Sequence, residues 1–176
     1  MTRYFGRVLG AALLDQRTYE EVEADRQASA QAVVLVLLSS VAGGIGLLGL
    51  GAPPQSFVAA IIGSLVGWIA WAALTFLVGT HLLPEPQTNA DVGELLRTIA
   101  FASAPGLLRV FGVIPFAGRT IYAIASIWML LTMVVAVRQA LDYKSTVRAV
   151  GVCLVGWALS LVVAAIIGVT FARTVS

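Results

Sequence analysis

The sequence predicts an all-α fold: a polytopic membrane bundle of five transmembrane helices, preceded by a short N-terminal interfacial helix. Two observations carry this. Five strongly apolar stretches, Ala32–Leu50, Phe57–Leu83, Ile99–Ile114, Thr120–Val137 and Ala149–Ala172, fill most of the 176 residues, and nearly all of the 11 basic and 9 acidic residues lie outside them. The chain is 59% hydrophobic with a mean hydropathy of +0.94, far beyond a soluble domain, whose surface helices need polar faces that these stretches lack. A helix of about 20 residues, rising about 1.5 Å each, matches a hydrocarbon core of about 30 Å. Four of the stretches meet that length unaided. The third is short and carries Pro105 and Arg109, so the topology is decided there.

Taken in order, residues 1–31 form a cytoplasmic or interfacial segment. Tyr4, Phe5, Val8, Leu9, Ala12 and Leu13 recur at helical spacing with Arg3 and Arg7 turned away, the pattern of a helix lying in a membrane interface. Thr18 and Glu21 have capping-box spacing and predict a second helix running through Ala28 into the first span. The segment has nine charges and no early apolar run with a cleavage signature, so the first span is expected to direct insertion itself. Residues 32–172 make the five-helix domain and residues 173–176 a short C-terminal tail.

Gly51, Ala52, Pro53 and Pro54 break the chain between the first two spans, and the stretch from Pro84 to Asn89 ends the second. Asp91 and Glu94 form a second capping-box pattern, which starts a helix near Val92. With that start, Arg97 and Arg109 bracket a short or tilted crossing to about Phe111, bent at Pro105, each guanidinium reaching toward water. A re-entrant hairpin over residues 99–114 is the rival. If all five segments cross, Arg3, Arg7, Arg17, Arg26, Arg97, Arg138, Lys144 and Arg148 share one side, and Arg109, Arg119 and Arg173 the other. The positive-inside rule then makes the N terminus cytoplasmic and the C terminus external. A hairpin would move the 138–148 connector across.

The residue inventory argues against an enzyme. His81 is the sole histidine and stands at a span edge without the carboxylates or thiols of a metal cluster. Ser39, Ser40, Ser64, Ser103, Ser126 and Ser160 have no histidine base beside them, and their expected role is hydrogen bonding along or between helices. Glu20, Glu21, Glu23 and Asp25 define no coordination shell and are expected to be solvated or paired with Arg17 or Arg26. Cys153, the only cysteine, excludes an intramolecular disulfide. No catalytic, cofactor-binding or metal-binding residue is predicted, and the scattered bases form no stripe for nucleic acid. Gly63 with Gly67, Ser39 with Gly43 and Ser40 with Gly44 make small helix faces suited to close packing or to a homo-oligomer. Trp68, Trp71, Trp128 and Trp157 sit inside spans, as fillers between helices. Arg109 has no acidic residue near it in sequence. Its expected place is the interface, with a carbonyl, a distant acid, a lipid headgroup or a substrate as the alternatives.

The order of Ala102, Ser103, Ala104, Pro105, then Gly112, Val113, Ile114, Pro115, then Ile127, Trp128, Met129 resembles the Yip family of integral membrane proteins, in its compact bacterial type, over roughly residues 15–172. That resemblance implies a cytoplasmic N-terminal region, a five-helix membrane domain and residence in a bacterial cytoplasmic membrane. Characterised eukaryotic members of the family interact with prenylated small GTPases in vesicle traffic. This chain has no Asp-Leu-Tyr-Gly-Pro motif, and only Pro105 carries over, as a structural counterpart. The expected function is a non-enzymatic membrane scaffold or adaptor, with membrane lipids and a membrane-protein partner or second copy as its contacts. A transporter of a small solute, ion or lipid is the alternative.

Overall fold

The computed structural model describes residues 2–88 and 90–159, and every regular element among them is helical. In order these are α1 (Thr2–Ala12), α2 (Gln16–Ala24), α3 (Ala28–Gly49), α4 (Gln55–Leu77, continued by a π-helical turn over Val78–Leu82), α5 (Val92–Ala102), a 3-10 helix (Ala104–Val113), α6 (Gly118–Ala140) and α7 (Thr146–Leu159). Among the described residues four units are long and apolar enough to cross a membrane: α3, α4 with its π turn, α5 with the 3-10 helix, and α6. The fifth stretch begins as α7. Its remainder, the tail 173–176, Ser160 and Arg173 lie outside the described residues.

The N-terminal pair differs from the sequence expectation in three ways. Asp15, rather than Thr18, caps α2, its carboxylate accepting from the Arg17 N–H and the Thr18 hydroxyl. The helix does not run on into the first span. It stops at Ala24, and the Asp25 carboxylate accepts the Gln27 N–H, turning the chain before α3 begins. Arg7 does not point into water either. It is 2% exposed, its guanidinium donating to Glu21 at 2.9 and 3.1 Å, to Asp25 at 2.6 Å and to Gln31 at 3.0 Å. Burying a guanidinium is tolerable only against such a set, because an unpaired charge loses its hydration with no return. Tyr4, Val8, Ala11, Tyr19 and Val22 then join one core with Leu35, Val36 and Phe101 of the spans. Phe5 and Leu9, on the other side of α1, stay open.

The third stretch crosses as two kinds of helix. Asp91 and Glu94 close the expected capping box, and α5 begins at Val92. Pro105 has no N–H to give the Phe101 carbonyl, so the α-helical ladder ends at Ala102 and the chain tightens into ten residues of 3-10 helix. Such helices rise about 2.0 Å per residue. α5 and the 3-10 helix together therefore extend about 36 Å if coaxial, enough for the core.

Contacts along the stretch show a traverse rather than a hairpin. Positions Ser39, Gly43, Gly46 and Gly49 on α3 face Ser103, Arg109, Gly112 and Val113 in rising order, so the two elements run parallel. α6 returns antiparallel, with Gly118 against Gly112, Tyr122 against Gly46, Met129 against Gly106 and Thr132 donating to the Ala102 carbonyl. The 138–148 connector is thereby brought back to the N-terminal end, where Gln139 donates to Glu20 at 3.1 Å. Glu85 accepts the Lys144 and Ser145 N–H groups there, and Arg148 donates to the Pro84 carbonyl.

Close approach belongs to α3 rather than to α4. A Cβ on Gly46 would stand 2.0 Å from the Arg109 carbonyl oxygen, and one on Gly49 2.4 Å from the Val113 Cα. Gly63 and Gly67 do not serve the expected packing inside the bundle: among the described residues nothing lies within 4 Å of a Cβ at either. α4 is the most lipid-exposed of the long helices, meeting its neighbours through residues other than this glycine face. Of the tryptophans expected as fillers, Trp68 donates to the Leu96 carbonyl, whereas Trp157 is exposed.

Candidate functional site

In a 3-10 helix every third residue falls in one column. Ser103, Gly106, Arg109 and Gly112 form such a column, and it faces α3. Glycines above and below Arg109, with Gly43 across from it, leave the width of a guanidinium. A Cβ on Gly43 would come within 3.0 Å of the Arg109 Cζ, and one on Gly106 within 3.2 Å of Nη2. The side chain lies in that space. Its carbonyl sits beside Gly46, while Nη2 reaches Ser39, two helical turns back toward the centre of α3. The expected snorkelling outward is therefore reversed.

The partners of that guanidinium are all neutral. Nε donates to the Gly106 carbonyl at 3.3 Å, and Nη2 to the Ser39 carbonyl at 3.3 Å and hydroxyl at 3.4 Å. The Tyr122 ring lies 5.7 Å from Cζ, in cation–π range. Charged N–H groups usually bond at about 2.7–2.9 Å, so these are long, loosely held contacts.

Arg109 borders two adjoining cavities of about 290 Å³ each, which share Ser40 and Ser64. One extends among Trp68, Trp71, Ile99, Met129 and Met133, the other past Gly63 and Tyr122 toward Leu47. Trp71 lines the first, and its indole N–H is buried without a partner among the described residues. On the N-terminal side of the bundle Leu35, Leu95, Phe101 and Val137 are fully buried. The recess combines the Arg109 guanidinium and serine side chains with apolar walls from Ile99, Met129 and Met133.

The opposite end carries most of the remaining charge. All nine acidic residues stand there, with Arg3, Arg7, Arg17, Arg26, Arg97, Arg138, Lys144 and Arg148. Arg97, expected to reach for water, is buried and donates to the Val22 and Glu23 carbonyls, fastening α2 onto α5. Hydrogen bonds from Arg3 and Arg7 hold the Glu21 carboxyl below its ordinary range, and Arg7 does the same for Asp25. Arg3 and Arg7, rather than Arg17 or Arg26, are their partners. Glu23 moves the other way: burial, then the nearby Asp142 and Glu94, push it up to about 7. No group of three or more metal-ligating side chains occurs among the described residues. His81 rests in the π turn, its Nδ1 2.7 Å from the Thr80 hydroxyl.

Sequence reasoning missed Arg7 as a buried hub and the inward turn of Arg109. The second had a signal: the period-three run of Ser103, Gly106, Arg109 and Gly112, read against a helical period of 3.6. Among known proteins, the family model described as the Yip1 domain matches residues 12–167. Comparison with curated proteins and with solved structures gave no match.

Proposed function

This chain belongs to the Yip1 domain family, and we propose that it works as a non-enzymatic membrane adaptor, a bundle that holds a fixed charged platform at one membrane surface for a partner protein. The carrying observation is how that platform is built. Buried Arg7 ties α1 to α2 and α3, Arg97 ties α2 to α5, and Glu85 ties the 84–88 turn to the 142–148 connector. Exposed Arg17, Arg26 and Lys144 stand on this frame. Ordering these groups in advance lowers the entropy lost when a partner docks. The eight bases at this end support a cytoplasmic placement of the platform by the positive-inside rule.

Transport is the second reading, and the Arg109 recess is the observation that favours it. Against it stands the fully buried apolar core that Leu35, Leu95, Phe101 and Val137 form with residues of the platform side. One experiment separates the two. Full-length protein is reconstituted in liposomes for ion-leak and lipid-scrambling assays, and photo-crosslinkers are placed at Arg17, Lys144 and, as control, Phe116 in native membranes. The adaptor reading expects a discrete crosslinked species from Arg17 and Lys144 but not Phe116, with leak and scrambling no greater than in empty liposomes. Flux above empty liposomes that disappears in Arg109→Ala would replace adaptor by transporter.

A further inference from the structure

Arg109 is a permanent cation inside a half-molecule that holds no carboxylate: within the described residues every acid lies at the other end. We propose that the recess beside Arg109 binds a phosphate-type anion, presented by the headgroup of an anionic membrane lipid. This goes beyond the adaptor reading and does not rest on it.

The chemistry of the lining selects the charge. Nε and Nη2 of Arg109 make only long bonds to neutral oxygens, and Nη1 has no partner among the described residues. Trp71 and Ser64 line the same space, and the Trp71 indole N–H has no hydrogen-bond partner among the described residues; the Ser40 hydroxyl already donates to the Val36 carbonyl. An anion's oxygens would give the Arg109 guanidinium the charged partner it lacks, whereas a cation would meet it with nothing to offset it.

Shape selects the carrier. The Arg109 backbone lies four residues before the end of the 3-10 helix at Val113, about 8 Å at about 2 Å per residue, and its guanidinium turns inward from there to Ser39, so the headgroup is drawn from the leaflet surface into the recess. Exposed Gly63 and Gly67 leave the α4 side of the recess open, on the helix that faces lipid most. Ile99, Met129 and Met133 supply apolar walls for the start of an acyl chain. A soluble anion would leave these walls unused.

The test is tryptophan quenching, since Trp68 and Trp71 line the recess. Full-length protein in phosphatidylcholine vesicles is titrated with brominated phosphatidylglycerol or brominated phosphatidylcholine, to give the relative binding constant. The wild type is expected to prefer the anionic lipid by about tenfold, the worth of one charge-assisted contact. Arg109→Gln should bring that to within about twofold, and Arg109→Lys should keep part of it. Gly67→Leu occupies open space on a helix that gains propensity from the change. It should fold normally and still lose the preference. Arg119→Gln, which removes an exposed arginine from the same end, should keep it. A preference that survives both Arg109→Gln and Gly67→Leu, or that Arg119→Gln abolishes as fully, would overturn the site. Inorganic phosphate separates the sources. Lipid binding that millimolar phosphate leaves intact supports the lipid, while displacement by phosphate alone overturns the lipid source in favour of a soluble anion.

Discussion

Arg7 and Arg109 are both arginines drawn inward, and the two halves of the molecule treat them in opposite ways. Arg7 meets two carboxylates and an amide, and is 2% exposed. Arg109 meets carbonyls, one hydroxyl and a ring, beside open space. A charge that is fully compensated within the chain holds structure together. One that is compensated only by dipoles keeps electrostatic potential available to something else. The N-terminal half is accordingly knitted, and the far half is open.

That contrast sets the expected sizes of five substitutions. Arg7→Ala should be the most damaging, because it leaves Glu21 and Asp25 side by side without their cation. Breaking a buried pair costs about 3–5 kcal/mol, and the partial exposure of both carboxylates lowers this to about 2–3 kcal/mol. Unfolding in mixed micelles measures it, and a loss below about 0.5 kcal/mol would reduce Arg7 to a surface residue.

Gly46→Ala comes next, at about 1–3 kcal/mol, since its Cβ would collide with the Arg109 backbone and part α3 from the 3-10 helix. Gly67→Ala, the same change in open space, should be neutral or stabilise by up to about 1 kcal/mol. Equal effects at the two positions would break the distinction between a packed and an open glycine face.

The platform's acids give a smaller, pH-dependent effect of two signs. Glu21 and Asp25 are depressed on folding, so their contribution is present above their ordinary values of 4.5 and 3.8 and is lost as pH falls through the lower folded values. Glu23 is raised from 4.5 to about 7, so the folded state binds its proton more tightly and stability declines as pH rises across that interval. Stability should peak near the lower edge of that interval, and Glu23→Gln should flatten the decline above it while leaving the acid limb. A melting series from acid to neutral pH checks both limbs.

The smallest stability effect is expected from Arg109→Gln: within about 0.5 kcal/mol of the parent, or slightly stabilising, because a poorly compensated charge is removed. The same micelle unfolding reads it. A loss as large as that of Arg7→Ala would make Arg109 structural and erase the comparison.

Much of the fold was legible before the structure. Hydropathy located the spans, and Asp91 with Glu94 placed the start of α5 ahead of its apolar stretch, because both signals reside in neighbouring residues. The positions of Arg138, Lys144 and Arg148 beside the N-terminal charges also followed from counting crossings. The site was legible only as a named arginine. Its surroundings come from Ser39, Ser64 and Trp71, on α3 and α4, distant in the chain and joined only by packing.

The sequence by itself determined a helical membrane chain of defined spans, caps and charge asymmetry, since hydrophobicity and capping act locally. Tertiary structure decided which charges are satisfied and which glycines are packed. Gly46 and Gly67 are the same residue type on apolar helices, yet one lies against a backbone and the other borders a recess. Arg7 and Arg109 likewise differ only in what the fold carries to them. Compensation and close packing depend on a partner's position in space, and that is fixed only when the helices assemble.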